Sequence, residues 1–267
     1  MTSKAEYAID PSDGLPVLKV QSWAARKHRL LTQYITASSH ARGQFPRRTF
    51  IDLYCGPGRC LHETGEITDG SSIAAVRAAT SAMFTDVYIA DFRQENVDSC
   101  KNRLNKINVE PRVFCGKAEK IVNDVCSILD KRALHLAFLD PFSLHALPFS
   151  IIQSLSTLRK IDILIHFSVM DFARNYARLL DQNLIDTYIP GAQSAYDPSR
   201  NLRSNRKNAF QLWYQSLLNL GFHASNVEMI KERGKHMYWL VHATRNSTAL
   251  DIWNDIQARD AQRGFAF

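Results

Sequence analysis

The chain has 267 residues, 45% of them apolar, and a formal net charge of +7. That length and apolar share suffice for one large α/β domain, or one domain with a sizeable insertion, and exclude a largely disordered chain. The basic excess favours a polyanionic partner without demanding one.

Five scattered cysteines, Cys55, Cys60, Cys100, Cys115 and Cys126, form no Cys-x-x-Cys pair and have no histidine at zinc-like spacing, so free thiols in a reduced compartment are expected. The N-terminus lacks the apolar core of a secretion signal, and no stretch approaches the roughly 18 apolar residues of a membrane span. A cytoplasmic chain with no membrane contact is the reading.

Residues 2–16 are polar, carry Pro11, Gly14 and Pro16, and read as an irregular lead-in. From Val20 to Ile35, Trp23, Leu30, Leu31, Tyr34 and Ile35 recur at helical spacing, which predicts a helix packed on the edge of the main sheet. Breakers in 41–46 end this unit. Thr49–Arg59, TFIDLYCGPGR, follows: an apolar strand that meets an acid and then a turn of Gly56, Pro57 and Gly58, whose N–H groups can face an anionic group.

Residues 62–69 show little periodicity, so the helix expected after such a turn is delayed. Gly70-Ser71-Ser72 then caps a helix over 73–83, and a strand over 86–90 ends in Asp91. A polar helix over 94–107 leads to a third strand, 112–115, and to Gly116-Lys117-Ala118-Glu119, with a further helix over 120–129. The apolar strand 135–139 ends in Asp140-Pro141-Phe142; a helix near 148–158 and a fifth strand over 162–167 complete the alternation.

Residues 171–208 are rich in Arg, Asn, Gln and Tyr and close on the basic SRNLRSNRKN; they read as an inserted helical and loop segment. A helix over 209–220, strands near 224–231 and 237–244 around the turn Glu232-Arg233-Gly234-Lys235, and a last helix near 250–259 end the chain. Near-continuous apolar strands alternating with helices predict a Rossmann-like α/β fold of the class I methyltransferase order, a mostly parallel sheet ending in an antiparallel hairpin with helices on both faces. The expected divisions are a lead-in and helix over 1–48, a core over 49–170, the insertion over 171–208, and a completing unit over 209–267.

In open α/β sheets ligands bind beyond the carboxyl ends of the strands. There the sequence places Asp52, Cys55, Gly56 and Gly58, then Asp91, then Ala118 and Glu119, then Asp140, Pro141 and Phe142. A P-loop would need Gly-Lys-Ser/Thr where Gly58-Arg59-Cys60 stands, and a dinucleotide turn would need a small residue where Leu61 stands and an acid nearer than Asp91. A nucleoside with a charged amino-acid tail suits the set better. The glycine turn and Asp52 would take the tail, Asp91 the ribose hydroxyls, and Ala118 to Glu119 the adenine edge, which points to S-adenosyl-L-methionine (SAM). Cys55 reads as a packing residue within that corner.

Asp140-Pro141-Phe142 resembles the Asp/Asn-Pro-Pro-aromatic motif of amino-methylating enzymes, in which the acid and a carbonyl accept from the target amine and the ring stacks on its base. It departs from that motif in having one proline and in Ser143. Of the isolated histidines His28, His62, His135, His145, His166 and His236, His166 is the candidate pocket residue. Arg200, Arg203, Arg206 and Lys207 read as a solvated face, with a phosphate-backbone contact as the alternative. No three acids cluster at one strand end, which argues against a metal-dependent nuclease.

Trp23, Lys27, His28, Leu31 and Tyr34, the run Ile51–Arg59, Gly70-Ser71-Ser72 after an irregular insert, Asp140-Pro141-Phe142 and Met237–Val241 resemble the three-Cys-motif partner proteins (TcmP), a family with class I methyltransferase-like domains. Cys55 stands where alanine is expected in that family and Ser143 where glycine is. The resemblance implies that the irregular insert is a family feature and that a partner carrying a three-cysteine, radical-SAM-like motif is possible. The expectations are a SAM-dependent methyltransferase acting on nucleic acid or a nucleic-acid-linked amine or, as the alternative, a non-catalytic SAM-fold partner subunit of a three-cysteine-motif protein.

Overall fold

A computed structural model describes residues 5–21, 24–224, 228–232 and 235–263; Trp23, Arg233 and Gly234 lie outside them. In chain order the elements begin with strands β1 (Tyr7–Ile9) and β2 (Pro16–Val20), helices α1 (Ala24–Ala37) and α2 (Ser39–Gly43), and β3 (Arg48–Asp52). Next come β4 (Arg59–His62), β5 (Ile67–Asp69), α3 (Ser71–Ala78), β6 (Asp86–Asp91), α4 (Gln94–Asn105), β7 (Arg112–Cys115), α5 (Ala118–Ile128) and β8 (Leu134–Leu139). The chain continues with a 3-10 turn (Leu144–Ala146), α6 (Phe149–Ser156), β9 (Ile161–Phe167), α7 (Val169–Asp181) and α8 (Leu202–Asn219). It ends with β10 (His223–Ala224), β11 (Glu228–Glu232), β12 (Lys235–Thr244) and α9 (Ser247–Arg263).

The main sheet runs β10-β12-β9-β8-β3-β6-β7, with β11 also on β12. From β7 to β9 every pairing is parallel, and β12 enters antiparallel beside β9, with Leu240 opposite His166. Strand alternation splits the core in two. Ile51 on β3 and Leu53 just beyond it face a cluster with α5, α6, α7 and α8, whereas Phe50 on β3 faces one with α1, α3, α4 and α9. β9 is buried along all seven residues, as a central strand covered on both faces must be. The chain therefore has the Rossmann-like α/β architecture, with the strand order of class I methyltransferases and an antiparallel end.

The lead-in is not irregular. β1 and β2 form a second sheet with β4 and β5, in the order β1-β2-β4-β5, so the stretch after the glycine turn is a hairpin on which the N-terminal strands are laid. β2 pairs in parallel with a strand some forty residues on, which local periodicity cannot reveal. Buried Arg103 on α4 ties this sheet down: it donates to both Asp13 carboxylate oxygens and to the carbonyls of Pro16 and Pro57. Arg59 at the head of β4 pairs with buried Asp10.

Other boundaries move for similar reasons. Val20 is engaged in β2 and so does not belong to the first long helix, whose described part is Ala24–Ala37, and a second helix, α2, runs to Gly43 inside the expected breaker region. The helix after Gly70 stops at Ala78, short of Met83. Within 171–208, α7 occupies the start and the basic run forms the first turns of α8, where the Asn201 side chain accepts from Ser204 N as a cap.

Candidate functional site

The glycine turn is built by contacts that glycine alone permits. Gly56 and Gly58 have φ of +55° and +86°, and a Cβ on Gly58 would lie 3.2 Å from the Cα of Cys100. Gly70 crosses directly beneath, its N–H donating to the Gly58 carbonyl at 2.8 Å, and a Cβ there would sit 2.9 Å from that carbonyl carbon. Over Gly56 no heavy atom would lie within 4 Å of a Cβ, so the turn faces open space.

Asp52 is fully buried beneath this turn. Its Oδ2 accepts from Ser71 and Ser72 Oγ at 2.6 and 2.8 Å, and its Oδ1 from Tyr54 N at 3.1 Å. Burial pushes its carboxyl up to about 6, against the opposing effect of those donors. Asp52 does not line the cleft; it fixes the turn to the start of α3.

Asp91 ends β6, beside β3. Its Oδ2 accepts from Gly56 N at 3.1 Å, and its Oδ1 from Arg93 N at 2.8 Å and Asn96 Nδ2 at 3.0 Å. Three donors leave capacity on a carboxylate, which offers about four lone-pair positions. Asn96 also reaches Tyr7 Oη at 3.1 Å, so the second sheet touches the same corner. Ala118 and Glu119 open α5 one strand further out.

Asp140 lies one residue beyond the last paired couple of β8 and β9, Leu139 with Ile165. Lys27 of α1 reaches it at 2.5 Å, and His166 Nδ1 lies 2.9 Å from its Oδ1. Burial would raise the Asp140 carboxyl, but the Lys27 ammonium, with His166, holds it well below the usual carboxylate range. Burial lowers His28, the neighbour of Lys27, to about 4. The loop after Asp140 is pinned at two points, Leu144 N to Asp171 at 2.8 Å and Tyr54 Oη to the Ala146 carbonyl at 2.5 Å. Phe142 on that loop is 59% exposed.

Cys55, Gly56, Gly58, Asp91, Ala118, Glu119, Asp140, Pro141 and Phe142 all line a single cleft of about 2150 Å3, with Asp52 behind it. A typical small-molecule site is roughly 300–1,000 Å3, so there is room for two ligands. His166 lines the same cleft; Arg200, Arg203, Arg206 and Lys207 do not, and the His236 side chain lies outside the described residues. Lys27, Tyr7 and Arg178 line it as well. Sequence reasoning gave Lys27 no site role, because its partner is 113 positions away and its helix reads as packing.

No protein-family model and no curated protein matched the chain. Among solved structures, magnesium protoporphyrin IX methyltransferase from Synechocystis is similar at 16% identity and a TM-score of 0.44, over 83% of this chain and 85% of that one. An rRNA methylase from Streptococcus thermophilus is similar at 10% identity and 0.40, over 82% and 93%. Precorrin 8w decarboxylase from Methanobacterium thermoautotrophicum is similar at 13% and 0.43, over 89% and 96%. These scores leave chemistry open.

Proposed function

We propose that the chain is a SAM-dependent methyltransferase whose acceptor is nucleic acid or a nucleic-acid-linked amine. Asp91 carries the reading: an acid at the end of the strand beside β3, bonded to the glycine turn by Gly56 N and keeping acceptor capacity, suits a ribose next to the tail that the turn holds. Open space over Gly56 fits a ligand lying on the backbone. The other groups would be divided as follows: the Gly56–Gly58 turn, with Cys55 packed under it and Asp52 fixing it, for the methionine end; Ala118 and Glu119 for the adenine edge; and the Asp140-Pro141-Phe142 segment for the acceptor side of the cleft, with Asp140 itself engaged by Lys27. The bound sulfonium supplies an activated methyl group, so the protein's task is proximity and alignment.

Calorimetry with SAM on the intact protein and on Asp91→Ala tests this. Binding that the variant loses by tenfold or more supports the assignment; no heat from the intact protein, or equal affinity in both, overturns it.

The engagement of Asp140 by Lys27 and His166 favours a second reading. A carboxylate already paired is a poor acceptor for a target amine, which suits a SAM-fold partner subunit of a three-cysteine-motif protein, as the TcmP resemblance implies. Tritiated SAM offered to DNA, RNA and protein pools, with and without co-purified partners, separates the two: label in a pool supports the enzyme, and binding without label supports the partner.

A further inference from the structure

Two observations make Asp140 unsuited to meeting an acceptor directly. Its carboxylate is ion-paired with Lys27 at 2.5 Å, and its Oδ1 lies 2.9 Å from His166 Nδ1. The group beside it is better placed. His166 lines the cleft with 10% side-chain exposure; its Nδ1 is buried 2.9 Å from Asp140 Oδ1, in contact but not in hydrogen-bond alignment, whereas its Nε2 is not enclosed in the same way. Tyr238 on β12 stands edge-on to the ring at 4.5 Å and holds its plane.

Resting on the methyltransferase reading, we propose that His166, oriented by Asp140, is the general base that takes the proton of the methyl acceptor, so that the acceptor is an O–H or N–H group that loses its proton as the methyl arrives. The steps balance. The acceptor's proton passes to His166 Nε2, and the electron pair freed on its heteroatom forms the bond to the methyl carbon. The carbon–sulfur bond breaks with its pair left on sulfur, which turns the sulfonium into a neutral thioether. His166 ends as an imidazolium facing the Asp140 carboxylate and releases its proton to solvent.

The surroundings suit that cycle. Burial keeps His166 below its ordinary range, with Asp140 opposing and Lys27 adding to the effect, so the ring starts neutral near pH 7. The groups facing it are Asp140 and the Pro141 backbone just beyond β8, Lys27 on α1, and Tyr238 on β12, with His28 on α1 acting on Asp140. Lys27 is thus a positioning residue. It keeps Asp140 ionised and limits how strongly His166 holds the proton.

Long-range proton–nitrogen correlation spectra of the 15N-histidine protein, with His166 assigned through His166→Gln, read the tautomer and pKa without any acceptor. The expected result is Nδ1–H, with Nε2 unprotonated at pH 7.5, a pKa raised by about one unit in Lys27→Met and lowered in Asp140→Asn. His166→Gln is expected to bind SAM within twofold of the intact protein in calorimetry. An Nε2–H tautomer, or a pKa indifferent to both substitutions, overturns the base role while leaving SAM binding intact. Absence of SAM binding by the intact protein overturns the methyltransferase reading itself, and the base role with it.

Discussion

Asp52 and Asp140 end neighbouring parallel strands, β3 and β8, yet the fold treats them oppositely. Neutral donors, two serine hydroxyls and one backbone N–H, surround Asp52, and burial raises it to about 6. Asp140 is buried too, but Lys27 and His166 hold it well below the usual range. Hydrogen bonds alone let a buried carboxylate keep its proton in mild acid; a buried ammonium does not. The glycine-turn end of the cleft is therefore a corner fixed by local bonds, and the Asp140 end a site held by charge.

The largest expected effect comes from breaking the charged end. Lys27→Met leaves Asp140 without its counter-ion at 13% side-chain exposure, and a loss of roughly 3 kcal/mol of stability is expected in urea unfolding. Adding Asp140→Asn removes the stranded charge, so the double variant should be more stable than Lys27→Met alone. A double variant that simply adds the two single losses would show that the pair is not coupled.

The corner should answer to pH instead. Asp52 goes from an ordinary 3.8 in the unfolded chain to about 6 in the folded one, so between those values the folded state binds more protons and stability falls as pH rises. Asp52→Asn removes that slope. Relative to the intact protein the variant should gain about 2 kcal/mol between pH 4 and 6.5, the larger part of the roughly 3 kcal/mol that two pKa units at about 1.4 kcal/mol each give over the full titration. Asp140→Asn should show no such gain: a lowered carboxylate stabilises above its unfolded value and loses that contribution as pH falls below about 4. Parallel pH profiles for the two variants would erase the contrast between the strand ends.

Gly70→Ala probes the corner's packing alone. Its φ lies outside the left-handed region, so the cost comes from forcing a Cβ against the Gly58 carbonyl, and about 2 kcal/mol is expected. SAM affinity should fall with it, because that carbonyl belongs to the turn. Loss of stability with affinity unchanged would separate the turn from the ligand.

The corner was legible in the sequence because its parts are contiguous: strand, acid, Gly56, Gly58, and serines closing the insert. The order of the main sheet was legible for the same reason, since each apolar strand announces itself. What escaped notice was non-local. Lys27 meets Asp140 across 113 positions, and β1 and β2 are short strands that pair with each other and, through β2, with the hairpin formed by an insert without periodicity. His166 stood out by lying at a strand end, but only the register with β12 and β8 gives it Tyr238 and Asp140 as neighbours.

Phe142 gives the smallest expected effect on the fold and the sharpest separation of fold from acceptor. Its ring is 59% exposed, so Phe142→Ala should move stability by less than about 0.5 kcal/mol in urea unfolding. The loop itself stays pinned through Leu144 N to Asp171 and Tyr54 to Ala146, neither of which uses the ring. If the ring stacks on a base, the same substitution should weaken binding of a single-stranded oligonucleotide by roughly tenfold, since one base–aromatic stack contributes about 1–3 kcal/mol. SAM affinity, set at the other end of the cleft, should stay within twofold. Unchanged oligonucleotide binding would take Phe142 out of the acceptor site, and a large loss of stability would mean that the ring supports the charged end from outside.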